Sequence, residues 1–155
     1  MKNTKLYISI AAATLLSACA SVPLESEQAS NTAKQFAAPS NGKAGIYIYR
    51  TLGIGSALEK DLWIDDKCVG ESAPNVFFYK EVPAGKEYKI STESEFSPND
   101  LMLKTESGKS YFIEQYIKMG LFVGGADLEL MSDREGKEDI SDEDVKLAVQ
   151  GTCSN

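Results

Sequence analysis

The 155-residue chain contains no histidine, and that absence excludes more chemistry than any other feature of its composition. It removes the usual general base, the Ser-His and Cys-His nucleophile pairs and the commonest zinc ligand. Phosphate-binding patterns are missing too. No Gly-x-Gly-x-x-Gly or Walker motif occurs, and Gly120, Gly124 and Gly125 in MGLFVGGAD precede no helix that could offer an N-terminus to an anion, so a glycine-kinked or bulged strand is expected there. No D-x-D-x-D-G calcium loop is present. No cofactor is implied.

Basic residues are scarce and long apolar runs are absent. The longest run, Leu6 to Leu16, falls short of the roughly 18 to 20 residues that span a bilayer. Its setting explains it. Lys2 and Lys5 form a basic n-region, the run is a signal h-region, and Leu16-Ser17-Ala18-Cys19 looks like a bacterial lipobox, in which the Cys19 thiol is acylated before cleavage. Residues 1–18 are therefore expected to be removed as a lipoprotein signal peptide, and Cys19 to be the lipidated first residue. Ala20, in place of an aspartate of the inner-membrane-retention type, points to the outer membrane, periplasmic face.

Removal of Lys2 and Lys5 from 16 basic residues leaves 14 against 23 acids, a mature net charge of −9. Such a chain repels nucleic acid and anionic headgroups alike, so its membrane partner is reached through acyl chains on Cys19, each buried methylene contributing about 0.8 kcal/mol. The remaining length suits one domain. Residues 19–42 are poor in large apolar side chains and read as a flexible tether, with Glu27 to Ala38 as a possible short helix stopped by Pro39.

From residue 43 to 155 the texture is that of a mainly β domain. Ala44 to Arg50 alternates Ile46 and Ile48 with Tyr47 and Tyr49; Asp61 to Asp65, Val76 to Val82, Tyr88 to Glu93, Leu101 to Thr105, Tyr111 to Lys118 and Leu128 to Met131 follow as strands. Pro83-Ala84-Gly85-Lys86 and Ser107-Gly108-Lys109 read as hairpin turns. The spacing predicts an antiparallel β-sandwich, or a partly open barrel, with one C-terminal helix. That helix is expected to start at Ser141, with Asp144 at N3, an Ile140–Val145 staple, an apolar stripe of Val145, Ala148 and Val149, and Gly151 at its end. Cys68 and Cys153, the thiols left in an oxidising compartment, are expected to form a disulfide that pins it.

Two groups of side chains are candidates for a site. Asp61, Asp65 and Asp66, and the seven acids between Asp133 and Asp144, could supply a metal or an acid pair for glycoside hydrolysis, or merely solvate turns and a helix start. Glu93-Ser94-Glu95 with Asn99-Asp100 reads as a solvated loop. The strand aromatics Tyr47, Tyr49, Trp63, Phe77 and Tyr79 form a candidate binding surface, since alternation aims some of them outward while the others pack in the core.

GIYIYR, WIDDKCVGE, FFYKEVPAGKEYKI, GKSYFI and the terminal GTC together resemble a family of bacterial lipoproteins known as domain of unknown function 2846, over about residues 40–153. Asp65 to Gly70 and Val82 to Glu87 also resemble, more loosely, the paired hairpin motifs of PEGA-like β-sandwiches, with Asp66 where glycine is usual. The resemblance carries no catalytic residues. The function expected is a non-enzymatic binding or scaffolding module of the cell envelope, partnered by an envelope protein or glycan. The alternatives are a carboxylate-dependent envelope hydrolase and an inhibitor of an envelope enzyme.

Overall fold

The computed structural model describes residues 21–154, so the expected signal peptide and the expected lipidation site at Cys19 lie outside the described residues. In chain order the elements are α1 (Glu27–Ala33), β1 (Lys43–Arg50), β2 (Lys60–Ile64), β3 (Lys67–Ser72), β4 (Val76–Pro83), β5 (Glu87–Thr92), β6 (Asn99–Lys104), β7 (Ser110–Lys118), β8 (Gly125–Met131), α2 (Asp133–Ser141) and β9 (Lys146–Leu147). Two sheets form, ordered β8-β7-β1-β4-β9 and β3-β2-β5-β6. The mainly β sandwich with one helix near the C-terminus is what the strand spacing implied. Most neighbours are antiparallel, but β7 runs parallel to β1, and β9 to β4.

β1 explains the layering. It is buried along both faces. Ile46 and Ile48 point between the sheets, meeting Leu62, Phe78, Ile90 and Ile113, whereas Tyr47 and Tyr49 point the other way and pack with Phe77, Phe112, Ile140 and Val145 under the helices. Alternation of two apolar sets is what a strand covered on both sides requires. Between the sheets a buried polar thread runs from Ser72 to Gln115 to Thr92, whose hydroxyl donates to Asp61 O at 3.2 Å.

The hairpin between β2 and β3 pairs Ile64 with Lys67 across a two-residue turn. Asp65 and Asp66 both take positive φ, 48° and 60°, as a type I′ turn demands and aspartate tolerates. Asp65 Oδ1 accepts the Lys89 N–H at 3.0 Å, and Asp66 pairs with Lys89 Nζ at 2.7 Å. Aspartate thus serves where glycine is usual.

Four expectations need correction. Val76–Val82 and Tyr88–Glu93 do not pair back on each other: β4 joins β1 and β5 joins β2 and β6, so the Pro83–Lys86 turn carries the chain between sheets. Leu101–Thr105 and Tyr111–Lys118 are likewise in different sheets, because Gly45 N–H donates to Lys109 O at 3.0 Å and draws β7 alongside β1. The third correction concerns the helix. It spans Asp133–Ser141, capped by Ser132, whose Oγ accepts the Glu135 N–H at 3.3 Å and donates to Glu135 Oε2 at 2.5 Å. Residues 145–149 are extended instead, since their backbone is claimed on both sides: Ala148 N–H donates to Phe77 O, Glu25 N–H to Leu147 O and Val149 N–H to Pro23 O, each at 2.9 Å.

The fourth is the tether. Residues 21–42 are docked: Leu24 bridges Ala148, Tyr47 Oη donates to Ala33 O at 3.2 Å, Leu147 N–H donates to the buried Ser30 Oγ at 3.1 Å, and Lys34 Nζ reaches Asp142 O at 2.6 Å. Phe36 supplies the anchor, its ring 5.5 Å from that of Tyr47.

Cys68 and Cys153 form a disulfide across 85 residues of sequence. It fixes the C-terminal tail, not a helix, to the edge strand β3. Beyond it, the backbone N–H and hydroxyl of Ser154 both donate to Asp61 Oδ2 at 2.9 Å, which satisfies a fully buried carboxylate.

Candidate functional site

The five candidate aromatics separate. Tyr47, Tyr49 and Phe77 are buried beneath α1 and α2 and offer no platform. The Tyr47 ring lies 4.4 Å from Tyr79 and 4.9 Å from Phe112, while Tyr49 Oη donates to Asp139 Oδ2 at 2.7 Å. Tyr79 is half-buried against Tyr47 and donates to Glu81 Oε1 at 3.2 Å. Trp63 is half-buried as well, and it lines a groove of its own.

Burial raises the Tyr47 phenol well above its usual range near 10, with the neighbouring Tyr79 adding to the effect; burial and then the hydrogen bond to Asp139 do the same for Tyr49. Folded values above the unfolded one mean that this contribution to stability is whole below pH 10. It falls as pH rises beyond 10, at about 1.4 kcal/mol per pH unit for each phenol. Urea unfolding at stepped alkaline pH should therefore show a steep loss of stability above pH 10. Tyr49→Phe should make that loss shallower; an unchanged slope would contradict the assignment.

Trp63 projects from β2 on the outer face of the four-stranded sheet, in an open groove of about 520 Å³ lined by Asp66, Lys89, Ser91, Ser97, Pro98 and Asp100. Ser91 Oγ donates to Asp100 Oδ1 at 2.6 Å. An aromatic ring beside fixed carboxylate acceptors, a hydroxyl and an ammonium suits a ligand that is apolar on one face and rich in hydroxyls at its rim.

Most of the acids expected as alternatives have structural partners. Asp61 holds the tail, Asp65 and Asp66 make the hairpin, Asp133 pairs with Lys137 at 2.9 Å, Glu138 with Arg134 at 3.4 Å, and Asp139 takes the Tyr49 hydroxyl. Glu114 is held above the usual carboxyl range, by burial first, with Thr51 opposing and Asp139 assisting. Among the described residues no three side chains of metal-ligating type are gathered for an ion.

Another arrangement joins two loops far apart in the sequence. The expected glycine-kinked strand is corrected: Met119 to Gly124 of MGLFVGGAD form the β7–β8 loop, and β8 begins only at Gly125. The carboxylate of Glu95, read as part of a solvated loop, accepts the backbone N–H groups of Leu121 at 2.6 Å, of Phe122, and of Val123 at 3.3 Å. Desolvation raises the Glu95 pKa, but the three N–H donors outweigh it and hold the carboxyl below its usual range. Gly120 makes the clasp possible, because a Cβ there would stand 1.8 Å from Val123 O and 2.5 Å from Glu95 Oε2. Held this way, the loop presents its side chains outward. Met119, Leu121 and Phe122, with Phe96 from the β5–β6 loop and Ile54 from the β1–β2 loop, each leave between 70% and 84% of their surface in solvent.

The β1–β2 loop is itself tied down from within. Buried Arg50 donates to Leu58 O at 2.7 Å and to Gly55 O at 2.6 Å, and Leu58 packs close to Gly124. At its end, Glu59 Oε1 accepts the Ser21 N–H at 3.0 Å. The apolar crest and the entry of the N-terminal segment therefore share one loop. Among the described residues no helix is long and apolar enough to cross a membrane.

No solved structure matches the chain. An uncharacterized protein of Haemophilus influenzae is 65% identical over 132 residues, covering 85% of this chain and 78% of that relative. The family model for the protein of unknown function DUF2846 matches residues 40–126, from just before β1 to the start of β8 and so across all three crest loops. The chain belongs to the DUF2846 family.

Proposed function

We propose that the protein is a lipid-anchored, non-enzymatic binding module of the cell envelope, held at the periplasmic face of the outer membrane, whose Trp63 groove receives an envelope glycan. The observation that carries the reading is the lipobox cysteine placed two residues before a docked chain. A chain without histidine, most of whose candidate acids are taken up by turns, ion pairs and the tail, supports binding over catalysis. Trp63 supports a glycan, because its half-buried ring lines an open groove and the acceptors around it match the two faces of a sugar.

The test has two arms. Mass spectrometry of the native protein should find an acylated Cys19 as the first residue, and Cys19→Ser should lose the membrane fraction; a peptide beginning at Met1 would sink the anchor. The lipidated protein should co-sediment with the insoluble wall glycan, and Trp63→Ala should abolish this with Tm unchanged. Equal sedimentation of the two proteins would remove the groove from the proposal.

A further inference from the structure

We infer that the crest formed by Ile54, Phe96, Met119, Leu121 and Phe122 inserts into the bilayer that carries the anchor, so that the domain is seated on the membrane at two points. The inference rests on acylation of Cys19, as proposed above. Its argument is one of reach. Ser21 lies two positions after Cys19, and two fully extended residues span at most about 7 Å. Ser21 is fixed to Glu59, at the end of the loop that carries Ile54 and touches the β7–β8 loop through Leu58 and Gly124. A cysteine with its acyl chains in hydrocarbon therefore brings this end of the sandwich to the headgroups.

What meets the headgroups there is apolar. Side chains on loop tips that penetrate about 5–10 Å reach the acyl boundary. The Glu95 clasp serves that purpose: with the N–H groups of Leu121, Phe122 and Val123 already satisfied by one carboxylate, the loop enters a medium without water and leaves fewer backbone donors unpaired. The carboxylates at this end, Glu59, Glu93 and Glu95, disfavour an anionic surface, so the occupant is the hydrocarbon under zwitterionic headgroups. A protein partner on the same crest would compete with this and is an outcome of the test.

The lipidated full-length protein, carrying Phe122→Trp in a Trp63→Phe background, is reconstituted in phosphatidylethanolamine–phosphatidylcholine vesicles whose acyl chains are brominated. The tryptophan at position 122 should shift to the blue and lose most of its emission, whereas Trp63 in the unsubstituted protein should keep its own. Leu121→Trp in the same background gives a second position, and circular dichroism checks the fold of each. Unquenched emission at both positions, in protein shown by mass to be acylated and vesicle-bound, overturns crest insertion and leaves the anchor standing. So does a photocrosslinker at position 122 that captures a protein in intact cells and no lipid. An unmodified Cys19 overturns the anchor reading and this inference together.

Discussion

Replacing Cys68 and Cys153 together with serine should lower the unfolding free energy by up to about 4.6 kcal/mol, the chain-entropy value for a cross-link across 85 residues. Loss of a native disulfide from a small domain commonly costs about 2–5 kcal/mol, a large share of the stability of a domain of this size. The effect is also local. The bond holds the tail whose last described residue satisfies buried Asp61, so its loss leaves that carboxylate to find water or to stay unpaired. Calorimetry with and without reductant should show a large fall in Tm, and hydrogen exchange at Gly151 and Ser154 should accelerate first. An equal Tm under both conditions would mean that the tail is held by its hydrogen bonds alone.

Tyr47→Ala should cost about 3–5 kcal/mol, as large aromatic truncations in packed cores do. The ring is the hub of the layer between the five-stranded sheet and the helices, in contact with Phe36, Phe77, Tyr79 and Phe112. Its removal unseats α1 as well as emptying a cavity. Tyr47→Phe separates the two contributions: it keeps the ring and loses only the bond to Ala33 O, worth about 1 kcal/mol. Urea unfolding of the pair should differ severalfold in cost. Similar costs would show that the hydroxyl and not the ring holds α1.

Much of the sandwich was legible because its signals are local. Alternation in β1, the Asp65-Asp66 turn and the cysteine pair each depend on residues within a few positions or on compartment chemistry. Sheet membership was not legible, since Gly85 and Gly108, with φ of 84° and 77°, reverse the chain equally well within a sheet or between sheets. The helix was misplaced by competition between two start signals. Ser132 with Glu135 prevails over Ser141 with Asp144 because the ion pairs of Asp133 with Lys137 and Arg134 with Glu138 support it. Gly136 lets that helix lie on Phe112, where a Cβ would stand 2.2 Å from the Phe112 Cβ. An interior glycine argues against a helix until its neighbour is known.

The candidate site was half legible. Trp63 lines a groove, but the covering of Tyr47, Tyr49 and Phe77 comes from Phe36, Ile140 and Val145, remote in sequence and in short elements of weak pattern. The crest was hidden for another reason: Leu121-Phe122-Val123 has the composition of a strand, and only a distant carboxylate turns it into a loop.

The pairing of Pro23–Glu25 with Leu147–Val149 sets a timetable. Synthesis delivers the first of these segments more than 120 residues before the second, so the earliest docked part of the chain waits for almost the last. Until β9 arrives, β4 is an open edge, free to recruit a strand from any nearby copy. A product cut short before residue 146 never leaves that state. The border of the five-stranded sheet is thus closed by the chain itself, and only once its two distant segments have met.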